Sequence, residues 1–316
     1  MSGYYAVLGP VLTVFLVIGV GFAMRRFHVL SREADRTIFR LVVNLLYPCL
    51  IIDSMVGNPA LHQASISLLA PVLCMASILI GIGVGWQFSR LAGLKFNIER
   101  RTFAATTGIN NYSFFAVPVL FALFDPQTVG VCFAFNMGSE LSMWTIIALL
   151  ISGGSLAESW RKVINGPLIA IILGLVLNLF PVREHTPAFL WTTIGMFGKC
   201  AIPFGLMIVG ASFSDFTVNG VRELLECKRV GVMALLSRGL VMPLILIAAA
   251  KFLPVPLMLK QVLVVQAAMP AATFPVAMVQ HYGGHMPTAL RVVLTSTIAG
   301  LITIPLWIHF GLKWIG

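Results

Sequence analysis

Apolar runs of about twenty residues recur along the chain, each closed by a short polar turn, and a helix of that length crosses a hydrocarbon core. They lie at 7–24, 36–56, 66–89, 102–124, 128–152, 163–181, 187–212, 230–250, 259–281 and 287–312. The pattern predicts ten membrane-spanning helices. No predicted loop exceeds about twenty residues, so hydropathy leaves no room for a soluble domain. The first run has no basic segment before it and no clear small-residue cleavage site, which predicts a retained helix and not a signal peptide.

Two of the runs are interrupted. In the fourth, Asn110, Asn111, Tyr112 and Ser113 stand where a lipid-facing helix would carry Leu or Val, and Pro118 follows. In the ninth, Pro270, Thr273 and Pro275 interrupt the run, Pro275 lying 157 positions after Pro118. Backbone groups freed at a mid-bilayer break find no partner in lipid, so such breaks occur where they line a cavity. The chain also repeats weakly. Gly9-Pro10 opens the first run and Gly166-Pro167 the sixth, again 157 apart, while Pro48 answers Pro203 at a spacing of 155. A unit of five spans is odd, so the second copy must insert upside down relative to the first. The fold class expected is an all-α polytopic membrane protein, ten transmembrane helices in two inverted five-helix repeats (1–153 and 163–316) with broken crossover helices 4 and 9, an NhaA-like arrangement.

Composition agrees: 59% of residues are hydrophobic and 10% charged, and the mean hydropathy is +0.96, values outside the soluble range. The net charge of +10 follows membrane orientation and does not point to nucleic acid. Arg25, Arg26, Arg32, Arg36 and Arg40 flank the first loop; Arg90, Lys95, Arg100 and Arg101 the third; Arg161 and Lys162 the fifth; Arg222, Lys228 and Arg229 the seventh. The other side holds only Arg183, Lys251, Lys260 and Lys313. Cytoplasmic loops are the basic ones, which puts both termini outside. The five cysteines are scattered without metal-ligand or redox spacing and read as small buried apolar residues.

The interrupted spans are the first place to look for chemistry. Asn110 and Asn111 offer amide donors and acceptors, Tyr112 a phenol and Ser113 a hydroxyl. If the two segments cross, the half-helices downstream of the breaks aim their N-termini at the bilayer centre, where free N–H groups favour an anion. The bland alternative is a pair of kinked, packed helices with Asn bonded to a neighbour. Mid-span charges come next, each costly in hydrocarbon. Glu140 and Arg238 are read as an ion pair between the fifth and eighth spans, or Glu140 as a proton carrier. Lys199, on a span equivalent to the one carrying Asn44 and Pro48, is read as a cation for an anionic substrate or as a snorkelling side chain. His281 and His285 flank a Gly-Gly turn and make a poor metal site without a nearby Cys or carboxylate. No phosphate-cradling loop, nucleophile elbow or HExxH stands in the chain, so no enzyme activity, metal or cofactor is expected.

Taken together, Leu41-Val42-Val43-Asn44-Leu45-Leu46-Tyr47-Pro48, the Asn110–Pro118 stretch, Ile202-Pro203-Phe204-Gly205-Leu206 with Gly210-Ala211, Met269-Pro270-Ala271-Ala272 and Thr295 to Pro305 resemble the auxin efflux carrier family. That family includes the plant PIN-type carriers and bacterial malonate or organic-acid permeases. The resemblance covers essentially the whole chain. It implies a scaffold from spans 1, 2, 6 and 7, able to form a homodimer, a transport domain from spans 3–5 and 8–10, and a small organic anion as substrate. The short fifth loop, 153–165, favours a compact bacterial-type permease. The crossovers carry no carboxylate, so sodium coupling is not expected. The function expected is therefore a secondary transporter of a small carboxylate, auxin- or malonate-like, in a bacterial inner membrane, with the lipid bilayer and the organic anion as its partners. The alternative is a membrane ligand sensor or structural partner that binds without transporting.

Overall fold

The computed structural model describes residues 3–153, 163–226 and 228–316, with no side chains described for 216–226. Arg161, Lys162 and Cys227 therefore lie outside the described residues, as does the side chain of Arg222.

Helix dominates because a chain this apolar must satisfy its backbone polar groups internally once in lipid. Among the described residues seven helices are long and apolar enough to cross a membrane: Tyr4–Arg26, Arg32–Met55, Ala64–Leu91, Pro126–Ser152, Ala188–Asp215, Lys228–Phe252 and Met286–Ile315. The other three predicted runs are shorter or split. The fourth becomes α5 (Asn97–Gly108) and α6 (Ala116–Leu123). The sixth contains α9 (Gly166–Leu177), and the ninth becomes α14 (Leu257–Ala268) and α15 (Phe274–Tyr282). The remaining elements are α1 (Gly3–Arg26), α2 (Arg32–Leu41), α3 (Tyr47–Met55), α4 (Ala64–Leu91), α7 (Pro126–Ser142) and α8 (Ala148–Ser152). Then come α10 (Val182–His185), α11 (Ala188–Glu226), α12 (Lys228–Leu236), α13 (Met242–Phe252) and α16 (Met286–Ile315).

Among the described residues three membrane helices contain a π turn, at Val42–Leu46, Met143–Ile147 and Ser237–Val241. Two of these precede a proline, Pro48 and Pro243, at the same spacing. Proline removes the N–H that would bond the carbonyl four residues back. For Pro243 that carbonyl belongs to Gly239, and the indole Nε1 of Trp307 on α16 donates to it instead at 2.7 Å.

The helices α1, α3, α9 and α11 pack on one another, α4, α5 and α7 pack with α12 to α16, and the two sets also meet, α1 against α6 and α16, and α3 and α9 against α7. Glycine sets the closest approach: a Cβ on Gly21 or Gly210 would run into the backbone of Met207 or Ile18, which is how α1 and α11 lie against each other. A reciprocal amide pair ties α3 to α9: Asn58 N donates to Asn178 Oδ1 at 2.8 Å, and Asn178 Nδ2 donates to Asn58 O at 3.0 Å.

Candidate functional site

Both interrupted spans lose their helix upstream of the expected proline. Pro118 and Pro275 fall in the first turns of α6 and α15, where a helix has no use for the missing N–H. The irregular stretches are 109–115 and 269–273. Ile109 and Met269 are extended, with φ −109°, ψ 130° and φ −71°, ψ 143°. The two stretches meet in an antiparallel bridge at Asn110 and Ala271. Asn111 N donates to Pro270 O at 2.8 Å, and Ala272 N donates to Ile109 O at 3.0 Å. Each break thus satisfies backbone groups freed by the other, the requirement that an apolar medium imposes.

The side chains of the first stretch divide into two sets. Asn110 turns into the protein, its Nδ2 bonded to the backbone and side-chain oxygens of Gln266. Gln266 in turn donates to Asn136 Oδ1 at 3.0 Å, and Asn136 Nδ2 donates to the carbonyl of Tyr112 at 3.3 Å. Asn111 is also buried, at 4% exposure, yet its Nδ2 has no hydrogen-bond partner among the described residues. It lines a cavity of about 710 Å³ together with Tyr112, Ser113 and Thr273.

The cavity lies between the two packed groups of helices. Tyr47, Asn165 and Gly205 line it from the α1, α3, α9 and α11 side, and Glu140 from α7. Two hydrogen bonds link residues of its lining: Tyr47 OH to Ser113 Oγ at 2.8 Å, and Asn165 Nδ2 to Glu140 Oε2 at 3.1 Å. Tyr112 OH donates to the other carboxylate oxygen of Glu140 at 2.8 Å. Asn165 also caps α9, its Oδ1 accepting from Leu168 N at 2.9 Å. One wall is aromatic. Phe274 stacks on Phe39 with ring centroids 6.2 Å apart and meets Trp144 edge-on at 5.5 Å. Arg32, Asp35 and Arg36 line the same cavity.

Not every expected residue belongs here. Asn44 is exposed, with its Nδ2 bonded to Arg40 O at 2.9 Å, and Lys199 is exposed on α11; neither lines the cavity. Pro118, Pro270 and Pro275 shape the breaks but do not line it. Glu140 and Arg238 do not pair with each other. Glu140 accepts from Tyr112 and Asn165, whereas Arg238 donates from Nε to Met269 O at 3.0 Å and from Nη2 to Gln266 O at 3.2 Å. Sequence reasoning missed Tyr47, Asn136, Asn165 and Gln266. A usable signal existed for two of them, since Asn136 and Gln266 are uncharged polar residues in the middle of apolar runs.

The family model described as "Membrane transport protein" matches this chain over residues 6–159 and 155–308. A protein of Methanothermobacter thermautotrophicus called an uncharacterized transporter is 25% identical over 308 residues, covering 94% of this chain and 96% of its own. Shorter matches link the chain to two proteins of Saccharomyces cerevisiae. Protein ECM3 is 32% identical over 27% of this chain and 13% of its own length. One called an uncharacterized transporter is 29% identical over 29% of this chain and 14% of its own.

Proposed function

The chain belongs to the membrane transport protein family, that of the auxin efflux carriers, and we propose that it carries a small organic anion across a bilayer by alternating access at the bridged breaks. The observation that carries the proposal is the pair of bridged breaks beside a cavity that Asn111 lines, with the Asn111 Nδ2 itself buried behind that wall and unpartnered among the described residues. A buried donor without an acceptor is costly, and a carboxylate is the acceptor that would complete it. The N-termini of α6 and α15 start beside it, so the positive ends of their helix dipoles add potential at the same place.

In this reading the ten predicted spans form two inverted repeats, and the breaks are the crossovers of the fourth and ninth. The helices α1, α3, α9 and α11 belong to the scaffold, which is also the surface for a homodimer. The helices α4 to α8 and α12 to α16 belong to the moving domain. The bonds Tyr47–Ser113 and Asn165–Glu140 join the two bodies and must break as one slides past the other. The cavity reaches Arg32 and Arg36 on the basic side of the chain, so this state faces the cytoplasm of a bacterial inner membrane with both termini periplasmic. The test is a panel of mono- and dicarboxylates screened by thermal shift, followed by uptake of any stabilising compound into proteoliposomes. A carboxylate that raises the melting temperature and enters the vesicles is expected. Stabilisation without entry would favour a sensor instead.

A further inference from the structure

Arg238 is 2% exposed on the π turn Ser237–Val241 of the eighth predicted span, and among the described residues no carboxylate pairs with it. A buried cation without a counter-charge needs a specific electrostatic partner. Its partners are backbone oxygens at the broken end of α14: Met269 O at 3.0 Å and Gln266 O at 3.2 Å. The end of a helix carries partial negative charge on carbonyls that have no intrahelical donor. Gln266 O also accepts from Asn110 Nδ2 at 3.2 Å and from the backbone N of Met269 at 3.3 Å, and Met269 precedes Pro270, whose carbonyl receives Asn111 N. The guanidinium therefore sits on the same strand of backbone that holds the two breaks together. Its own position is fixed by the π turn and by Trp307 Nε1 on Gly239 O.

Freed carbonyls at a broken helix end are the groups with which other transporters of this general build hold a coupling cation. We propose that Arg238 is a built-in cation for the bridge. Its guanidinium occupies the carbonyl cluster at the end of α14 that would otherwise take a monovalent metal ion, so the anion site assembles without sodium. The proposal rests on the carrier reading for its purpose but not for its test. Arg238 touches no substrate; it is a positioning residue. Replacing it with alanine takes the side-chain donor from Met269 O and leaves Gln266 O with Met269 N and Asn110 Nδ2, beside an emptied space where water can complete the coordination of a small cation, which prefers several oxygen ligands.

The experiment compares melting temperatures of the purified wild type, Arg238→Ala and Arg238→Lys in sodium, potassium and choline chloride at equal ionic strength. Wild type and Arg238→Lys are expected to melt at the same temperature in all three salts. Arg238→Ala is expected to melt lower in choline and to regain several degrees in sodium, because an ion that binds only the folded state stabilises it. A folded Arg238→Ala that responds equally to sodium and choline overturns the proposal and leaves Arg238 a structural donor only. If Arg238→Ala is recovered in no salt, wild type is read first. A melting temperature that rises with sodium over choline in wild type overturns the proposal; where it does not, Arg238→Gln replaces Arg238→Ala, and a rise in sodium over choline upholds the proposal while an equal response overturns it. Transport enters at no point, so a chain that binds its ligand without moving it leaves this result intact.

Discussion

Asn111→Leu separates binding from stability in a way that few substitutions in a carrier would. The amide Nδ2 of Asn111 is buried and has no partner among the described residues, while its backbone N–H is engaged in the bridge to Pro270 O at 2.8 Å. Leucine has a similar volume and keeps the backbone bond. Removing a buried unsatisfied donor recovers part of a penalty of about 1–3 kcal/mol, so the empty protein should become no less stable. With substrate present the sign reverses. A hydrogen bond to a charged acceptor contributes about 1.5–3 kcal/mol, and each 1.4 kcal/mol is about tenfold in Kd. The carboxylate should therefore bind roughly 10- to 150-fold more weakly. Asn110→Leu is the control. It strips the donor from Gln266, which also serves Arg238 and Asn136, and should lower the melting temperature. The assay is paired: melting of the empty protein, and carboxylate affinity by titrated thermal shift. An Asn111→Leu protein that melts lower yet binds unchanged would refute the reasoning.

Further outcomes follow from the packing and the topology. Trp307→Phe orphans the Gly239 carbonyl opposite Pro243 and should cost about 1–2 kcal/mol; the loss should shrink when Pro243→Ala restores a backbone donor, and full additivity in that double-mutant cycle would count against the assignment. Gly210→Leu drives a side chain into the Ile18 backbone and should separate α1 from α11, read as loss of folded protein on size-exclusion chromatography; wild-type yield and melting would show that the contact is dispensable. In a background without native cysteines, Glu184→Cys should react with an impermeant maleimide in intact cells and Glu33→Cys only after lysis, both sites being exposed; the opposite labelling would invert the topology.

The breaks were legible in the sequence because polar residues and prolines in an apolar run have a steep cost in lipid. Their exact placement was not, because Pro118 and Pro275 are tolerated in the first turn of a helix and so mark its start and not its rupture. Side-chain direction was the weaker inference. Spans that are apolar on every side have no polar face to fix their rotation, which left Lys199 free to be drawn toward the site when it is exposed outside it. Asn44 lies inside the π turn Val42–Leu46 with its side chain bonded back to Arg40 O, and it is Tyr47, one residue past that turn, that reaches Ser113. Glu140 and Arg238 pair in a reading of the sequence as mid-span charges of opposite sign. Neutral groups satisfy each instead: a phenol and an amide for Glu140, backbone carbonyls for Arg238. Periodicity carries no information about such pairings, because they depend on which helices become neighbours.

The central claim is that the anion bound at the bridged breaks is moved and not merely held. Counterflow tests it most directly. Proteoliposomes loaded with an excess of a carboxylate that stabilises the purified protein are diluted into a trace of the same compound in labelled form. A carrier exchanges one for the other, so label should accumulate to a transient overshoot with wild type and be strongly reduced with Asn111→Leu at the same protein density. Label that binds the protein but never rises above the level of empty vesicles would contradict the account.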